Sequence, residues 1–143
     1  MSAYVSAPVR DQVRRRAGQR CEYCRSVEWL TGQRYEIDHI LPLQLGGAST
    51  IDNLCLACPS CNRYKQALVE AIDPAHGERV SLYHPRLQRW SDHFRWNDDA
   101  TQIVGLTPGG RATVEALMMN NSIVVAARSF WRNTGEHPPQ LQD

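Results

Sequence analysis

"IDNLCLACPSCNRYK", residues 51–65, places a turn, a short apolar strand, a C-x2-C pair and a helix start in immediate succession. Asp52-Asn53 breaks the chain ahead of the strand, "LCLA" has the length of one β-strand, and Pro59 suits the first turn of a helix. The spacing predicts that this helix runs on through "QALVEAI" and stops at Asp73-Pro74, because a residue before proline is disfavoured in the helical region.

Upstream, "RYEIDHI" (34–40) is β-prone, and "LPLQLGGASTID" (41–52) holds Pro42 and the pair Gly46-Gly47, so it reads as a long loop. Strand, loop, strand and helix is the local order. Before it, Ser6 can cap, Pro8 sits in a first turn and Gly18 can terminate, which predicts a helix over residues 8–17. Val9, Val13 and Ala17 share one face of that helix, while Arg14, Arg15 and Arg16 point mostly outward, as solvated charges or as a phosphate-facing stripe. Downstream, "HFRWNDDATQIVGL" (93–106) predicts a hairpin, and "TPGGRATVEALMMNN" (107–121) and "SIVVAARSFWRNTG" (122–135) predict two helices.

The length of 143 residues predicts a single domain over 1–143, of mixed α+β class. The hydrophobic fraction of 42% and charged fraction of 22% are those of an ordinary globular chain and exclude a disordered one. No signal-peptide pattern and no membrane-length apolar run is present, so the expected setting is the cytoplasm, with no membrane partner. In that reducing compartment cysteines serve as metal ligands, reactive thiols or core residues rather than disulfides. A net charge of +1 does not by itself call for a nucleic-acid partner, but residues 1–66 carry nine basic against six acidic side chains.

"CEYC" (21–24) and "CPSC" (58–61) are two C-x2-C pairs separated by 33 residues. Each can present two thiolates from one tight knuckle, and the two knuckles together complete a tetrahedral site suited to structural Zn²⁺. One such pair alone would be compatible with a thiol redox protein, but two pairs without a βαβ pattern favour metal. Cys55, inside the apolar "NLCLAC", reads as a buried core thiol. Four closed cysteine positions leave that zinc no open coordination site, so any catalysis needs a second centre. The polar residues able to supply one are Asp38, His39, Asn53, Asn62 and Lys65, although each taken singly has a structural role open to it.

In combination, "EIDHILPLQLGG" and "STIDNLCLACPSCNRYK" resemble the HNH endonucleases, in the subgroup whose ββα-metal (His-Me finger) motif is braced by two knuckles and ends in Asn. The resemblance covers an expected core over 14–66. It implies that His39 is the general base, that Asp38 and Asn62 bind a catalytic Mg²⁺ or Mn²⁺, and that Asn53 pins the long loop so that His39 is oriented. It also implies that Cys21, Cys24, Cys58 and Cys61 hold the structural zinc, and that the partner is DNA, cut to 5′-phosphate and 3′-hydroxyl ends.

Those roles are chemically coherent. Phosphodiester hydrolysis needs a base to activate water and a cation to neutralise charge on the phosphate and leaving oxygen. Arg63 and Lys65 beside the metal-site helix, with Arg14 and Arg15, are the expected phosphate contacts. Two departures from the commonest pattern are Asn62 in place of a final His, and the absence of a Gly soon after Lys65.

The part from 76 to 143 resembles the extension of small stand-alone HNH proteins and is expected to pack on the core. His93, Trp90, Trp96 and Trp131 there read as packed structural residues. The rival from another class is a non-catalytic, zinc-dependent nucleic-acid-binding module. One constraint stays open at this stage: successive strand residues face opposite sides, yet Asp38 and His39 must serve one phosphate.

Overall fold

The computed structural model describes residues 4–140. Where length alone predicts one domain, the contacts divide into two compact units: residues up to Val69 together with His84–Leu87, and Glu70–Tyr83 together with the residues from Gln88 onward.

The first unit opens with α1 (Ala7–Ala17), capped by Ser6 Oγ, which accepts from the Val9 N–H at 3.4 Å, and closed by Gly18 in the left-handed region. Val13 is its buried residue. A single helical turn, α2 (Glu28–Thr31), precedes β1 (Glu36–His39), which pairs antiparallel with β2 (Leu54–Ala57). In this register Asp38 faces Cys55 and His39 faces Leu54. Then α3 (Pro59–Lys65) starts from Cys58, completing the ββα order expected from the sequence.

The arginines of α1 do not form a free outward stripe. Arg14 donates to Glu28 Oε2 at 2.9 Å and to the Tyr35 carbonyl at 2.7 Å, while Glu28 Oε2 also accepts from the Tyr35 N–H. Arg16 donates to the carbonyls of Ile51 and Leu54 at 2.9 and 2.6 Å. Both guanidiniums satisfy loop and strand-end acceptors that would otherwise lack partners. Arg15 remains exposed.

A helix through residue 72 is not formed. It ends at Lys65, because Gln66 takes φ 49° and ψ −125°, and Glu70–Ile72 instead forms β3, paired with β4 (Arg79–Ser81). That hairpin opens the second unit, where Asp73 accepts two bonds of 2.9 Å from Arg111. The Arg111 guanidinium holds the Asp73 carboxyl down at about 2. After it come α4 (Trp90–His93), the hairpin β5 (Phe94–Trp96) with β6 (Ile103–Gly105), α5 (Pro108–Ala116) and α6 (Ser122–Trp131). The hairpin and the two helices follow the sequence expectation. Trp90, Phe94, Ile103 and Leu117 form the core of this unit, and His93 bonds Thr107 Oγ1 at 2.7 Å as a structural residue. Among the described residues no helix is long and apolar enough to cross a membrane.

The loop between β1 and β2 is built around two glycines with different duties. Gly46 takes φ +91° with open space around it, so it supplies only the left-handed turn. Gly47 is there for want of room: a Cβ would stand 1.7 Å from the Leu41 carbonyl oxygen and 2.9 Å from Asn53 Nδ2. Gly47→Ala should therefore cost about 1–3 kcal/mol as an overpacked site, and more than Gly46→Ala, where only the backbone conformation is penalised. Urea unfolding of the two variants tests the order, and equal losses would contradict the close approach at Gly47.

Candidate active site

Four sulfurs, from Cys21, Cys24, Cys58 and Cys61, lie within 4.8 Å of one another, and all four residues are buried. A Zn–S bond of about 2.3 Å implies a tetrahedral S···S edge of about 3.8 Å, and Cys24 Sγ stands 3.8 Å from Cys58 Sγ. Each knuckle aims one backbone N–H at its own first sulfur: Cys24 N at Cys21 Sγ (3.4 Å) and Cys61 N at Cys58 Sγ (3.3 Å). These donors suit sulfurs that carry thiolate charge. Burial and the neighbouring cysteines push the Cys21 thiol well up, and hydrogen bonds with the neighbouring cysteines do the same to Cys61. A divalent cation is what makes four thiolates affordable in such a place. The donor set and spacing fit Zn²⁺, and among the described residues no further His, Cys, Asp or Glu joins the cluster.

The first knuckle is fastened to the hairpin by Glu22. Its N–H donates to the Leu56 carbonyl and its Oε2 accepts from the Leu56 N–H, both at 2.8 Å, so Glu22 occupies the free edge of β2. Arg86, from the returning segment His84–Leu87, pairs with Glu22 Oε1, and burial pulls its guanidinium down to about 10.

Asp38 and His39 face opposite sides of β1. Asp38 is 6% exposed; its Oδ2 accepts from the Tyr23 hydroxyl at 2.8 Å, lies 3.7 Å from Cys55 Sγ and pairs with Lys65 Nζ at 3.2 Å. Burial pushes the Tyr23 phenol and the Cys55 thiol well up, so both remain protonated around the carboxylate. His39 is half-buried on the other side, where Nε2 lies 2.9 Å from Ser49 Oγ.

Lys65 departs from its expected place as a phosphate contact. It is 2% exposed, and besides Asp38 its ammonium donates to the carbonyls of His39 and Ile40, each at 3.2 Å. Three inward acceptors explain why a lysine is buried here. Arg14, spent on Glu28 and Tyr35, is likewise tied up, whereas Arg15 and Arg63 are exposed, Arg63 lying over the Tyr64 ring.

Asn53 holds both ends of the long loop. Its Nδ2 donates to the carbonyls of Leu41 (3.0 Å) and Ala48 (2.9 Å), its Oδ1 accepts from the Leu41 N–H, and its carbonyl accepts from the Ile40 N–H. Ser49 belongs to this pinned loop, so the partner of His39 is itself fixed. Asn62, on the first turns of α3, directs its side-chain amide to the carboxylate of Glu36.

His39 opens onto a cleft of about 750 Å³ whose lining includes Arg10, Arg34, Glu36 and Ile37, but not Asp38. Among the described residues Arg34 makes no hydrogen bond; it is exposed, and its charge acts on Glu28.

Residues 21–67 match the HNH endonuclease family. No curated protein and no solved structure matches the chain. The matched residues take in both knuckles, β1, the pinned loop and α3. Ser49 and Glu36 are the site neighbours that sequence reasoning passes over. The alternation of β1 sets Glu36 two residues before Asp38, but nothing local marks Ser49 as the partner of His39.

Two outcomes follow from this geometry. The purified protein should carry about one Zn²⁺ per chain by elemental analysis, and stripping it should remove folding free energy of about 10–16 kcal/mol, read as loss of the folded circular dichroism signal; Cys58→Ser should do the same and Cys55→Ala should not. Lys65→Met should cost about 3–5 kcal/mol by leaving the Asp38 carboxylate buried and unpaired, with part of the loss recovered in Lys65→Met/Asp38→Asn. A Lys65→Met protein as stable as wild type would show that the ammonium is not the clamp described.

Proposed function

We propose that the chain is a metal-dependent DNA endonuclease that hydrolyses phosphodiester bonds with His39 as general base. The observation that carries this reading is the position of His39, at a cleft that Arg34 also lines, with its ring bonded to Ser49 of a loop pinned by Asn53 and closely packed at Gly47. When the Ser49 hydroxyl accepts from Nε2–H, Nδ1 keeps its lone pair for the proton of an attacking water. Asn53 then acts through the loop, keeping Ser49 and His39 in one relation.

Asn62 offers a hard amide oxygen at the head of α3, and β1 offers a carboxylate, which the family resemblance assigns to Asp38. A hard divalent ion such as Mg²⁺ or Mn²⁺ accepts that donor set and keeps positions for water and phosphate. When bound, the ion neutralises charge on the scissile phosphate and the departing 3′ oxygen. Arg34 lines the cleft and would hold a flanking phosphate of the DNA strand, while Arg10 beside it is engaged by the Val5 carbonyl. The products are 5′-phosphate and 3′-hydroxyl ends.

Supercoiled plasmid incubated with the zinc-loaded protein and Mg²⁺ or Mn²⁺ should be nicked or linearised, and EDTA should stop the reaction. His39→Ala should lower the rate by about 10²–10⁴-fold, the contribution of a positioned base, with zinc content and circular dichroism unchanged. Full activity in a folded His39→Ala protein would refute the base assignment. A wild type that binds DNA without cutting duplex, single-stranded or branched forms would leave the non-catalytic binding module as the function.

A further inference from the structure

We infer that Tyr4 is a stacking platform for an unpaired base near the scissile phosphate, so that the cleft takes a DNA strand released from its duplex. This rests on the nuclease reading above and names the form of DNA that the same site accepts. Tyr4 is 71% exposed and lines the cleft of about 750 Å³ that His39 and Arg34 also line, so ring and imidazole address one stretch of strand. The other tyrosine of that wall, Tyr35, is 1% exposed, with its hydroxyl bonded to Ser26 Oγ at 2.9 Å. Among the described residues that line the cleft, Tyr4 is therefore the aromatic side chain that a base can reach.

The backbone beside Tyr4 is held. Val5, the next residue, is 7% exposed, and its carbonyl accepts from both Nε and Nη2 of Arg10, at 3.2 and 3.1 Å. Ser6 then caps α1. Tyrosine on such a support offers a large contact face at low cost in conformational freedom. Arg34 adds an exposed positive charge to the same cleft. These are the two contacts with which proteins hold single strands: a cation follows the phosphates, and an aromatic ring stacks on a base whatever its identity. In a duplex the base faces are covered by the neighbouring pairs, and a base must leave the stack before a ring can take it. An unpaired strand can therefore use Tyr4 and Arg34 together while presenting a phosphate to His39, and an intact duplex cannot.

The test measures binding by zinc-loaded protein without added Mg²⁺ or Mn²⁺, so that the strand stays uncut. The probes are a fluorescein-labelled DNA oligonucleotide of about 12 nucleotides, single or paired with its complement, read by anisotropy, and the same single strand carrying 2-aminopurine, whose fluorescence falls on stacking. Wild type should bind the single strand more tightly than the duplex and quench the 2-aminopurine. Tyr4→Ala should weaken single-strand binding by about 5- to 100-fold, the loss expected for one stacked base, with duplex binding within about twofold of wild type and the quenching gone. Tyr4→Phe should keep both affinity and quenching, because the ring face and not the hydroxyl makes the contact. Undiminished single-strand binding in Tyr4→Ala, at native zinc content and circular dichroism, would overturn the inference, as would an equal loss on single strand and duplex or a wild type that prefers duplex. Tyr4-dependent binding of the single strand by a protein that cuts no DNA with Mg²⁺ or Mn²⁺ would uphold the stacking role and refute the nuclease reading.

Discussion

A two-stranded ribbon of four-residue strands has too little packing to hold its own register in water, and β1–β2 is such a ribbon. The tetrathiolate cluster supplies the missing constraint. Cys58 and Cys61 fix the start of α3 at the end of β2, and Cys21 and Cys24 draw in the first knuckle, whose Glu22 pairs with Leu56 as a third strand would. Every candidate catalytic residue then hangs from elements anchored within a few residues of a sulfur ligand or paired directly with one that is. This is why a metal with no open position for chemistry can still be a precondition for it.

On that brace, the buried Lys65 sorts two neighbours into different jobs. A strand alternates its side chains, and Asp38 and His39 face opposite sides of β1. Asp38 turns inward to Tyr23, Cys55 and Lys65, and His39 turns outward to Ser49 and the cleft. The lysine also binds the backbone carbonyls just where β1 gives way to the loop, so the strand end that carries the imidazole is clamped from behind. The two neighbours of the dipeptide thus have separate sets of partners, one buried and one at the cleft.

Local signals were legible where the physics is local. Ser6, Pro8 and Gly18 delimit α1, the paired cysteines announce the metal cluster, and Pro42 with Gly46-Gly47 marks the loop. The end of α3 was not legible, because Ala, Leu and Glu in "QALVEAI" favour a helix, yet pairing with Arg79–Ser81 makes Glu70–Ile72 a strand. Lys65 misled for a related reason: a lysine after a knuckle looks solvated, and its acceptors lie 25 to 27 residues away in the chain. Arg14 and Arg16 repeat the pattern, their partners lying 14 to 38 residues downstream.

That contrast carries over to how cations near a phosphate-binding site should be read. A guanidinium or ammonium with several backbone carbonyls at hydrogen-bond distance is held by them, and a phosphate would have to compete with acceptors that cost nothing to reach. Lys65 and Arg16 fall in this class, and Arg14 is held likewise by one carbonyl and the Glu28 carboxylate. Arg34, five residues before the end of β1 and in a far less suggestive context, makes no hydrogen bond among the described residues and lines the cleft. Proximity to a motif along the chain is therefore a weaker guide to substrate contact than the absence of any internal acceptor for the charge.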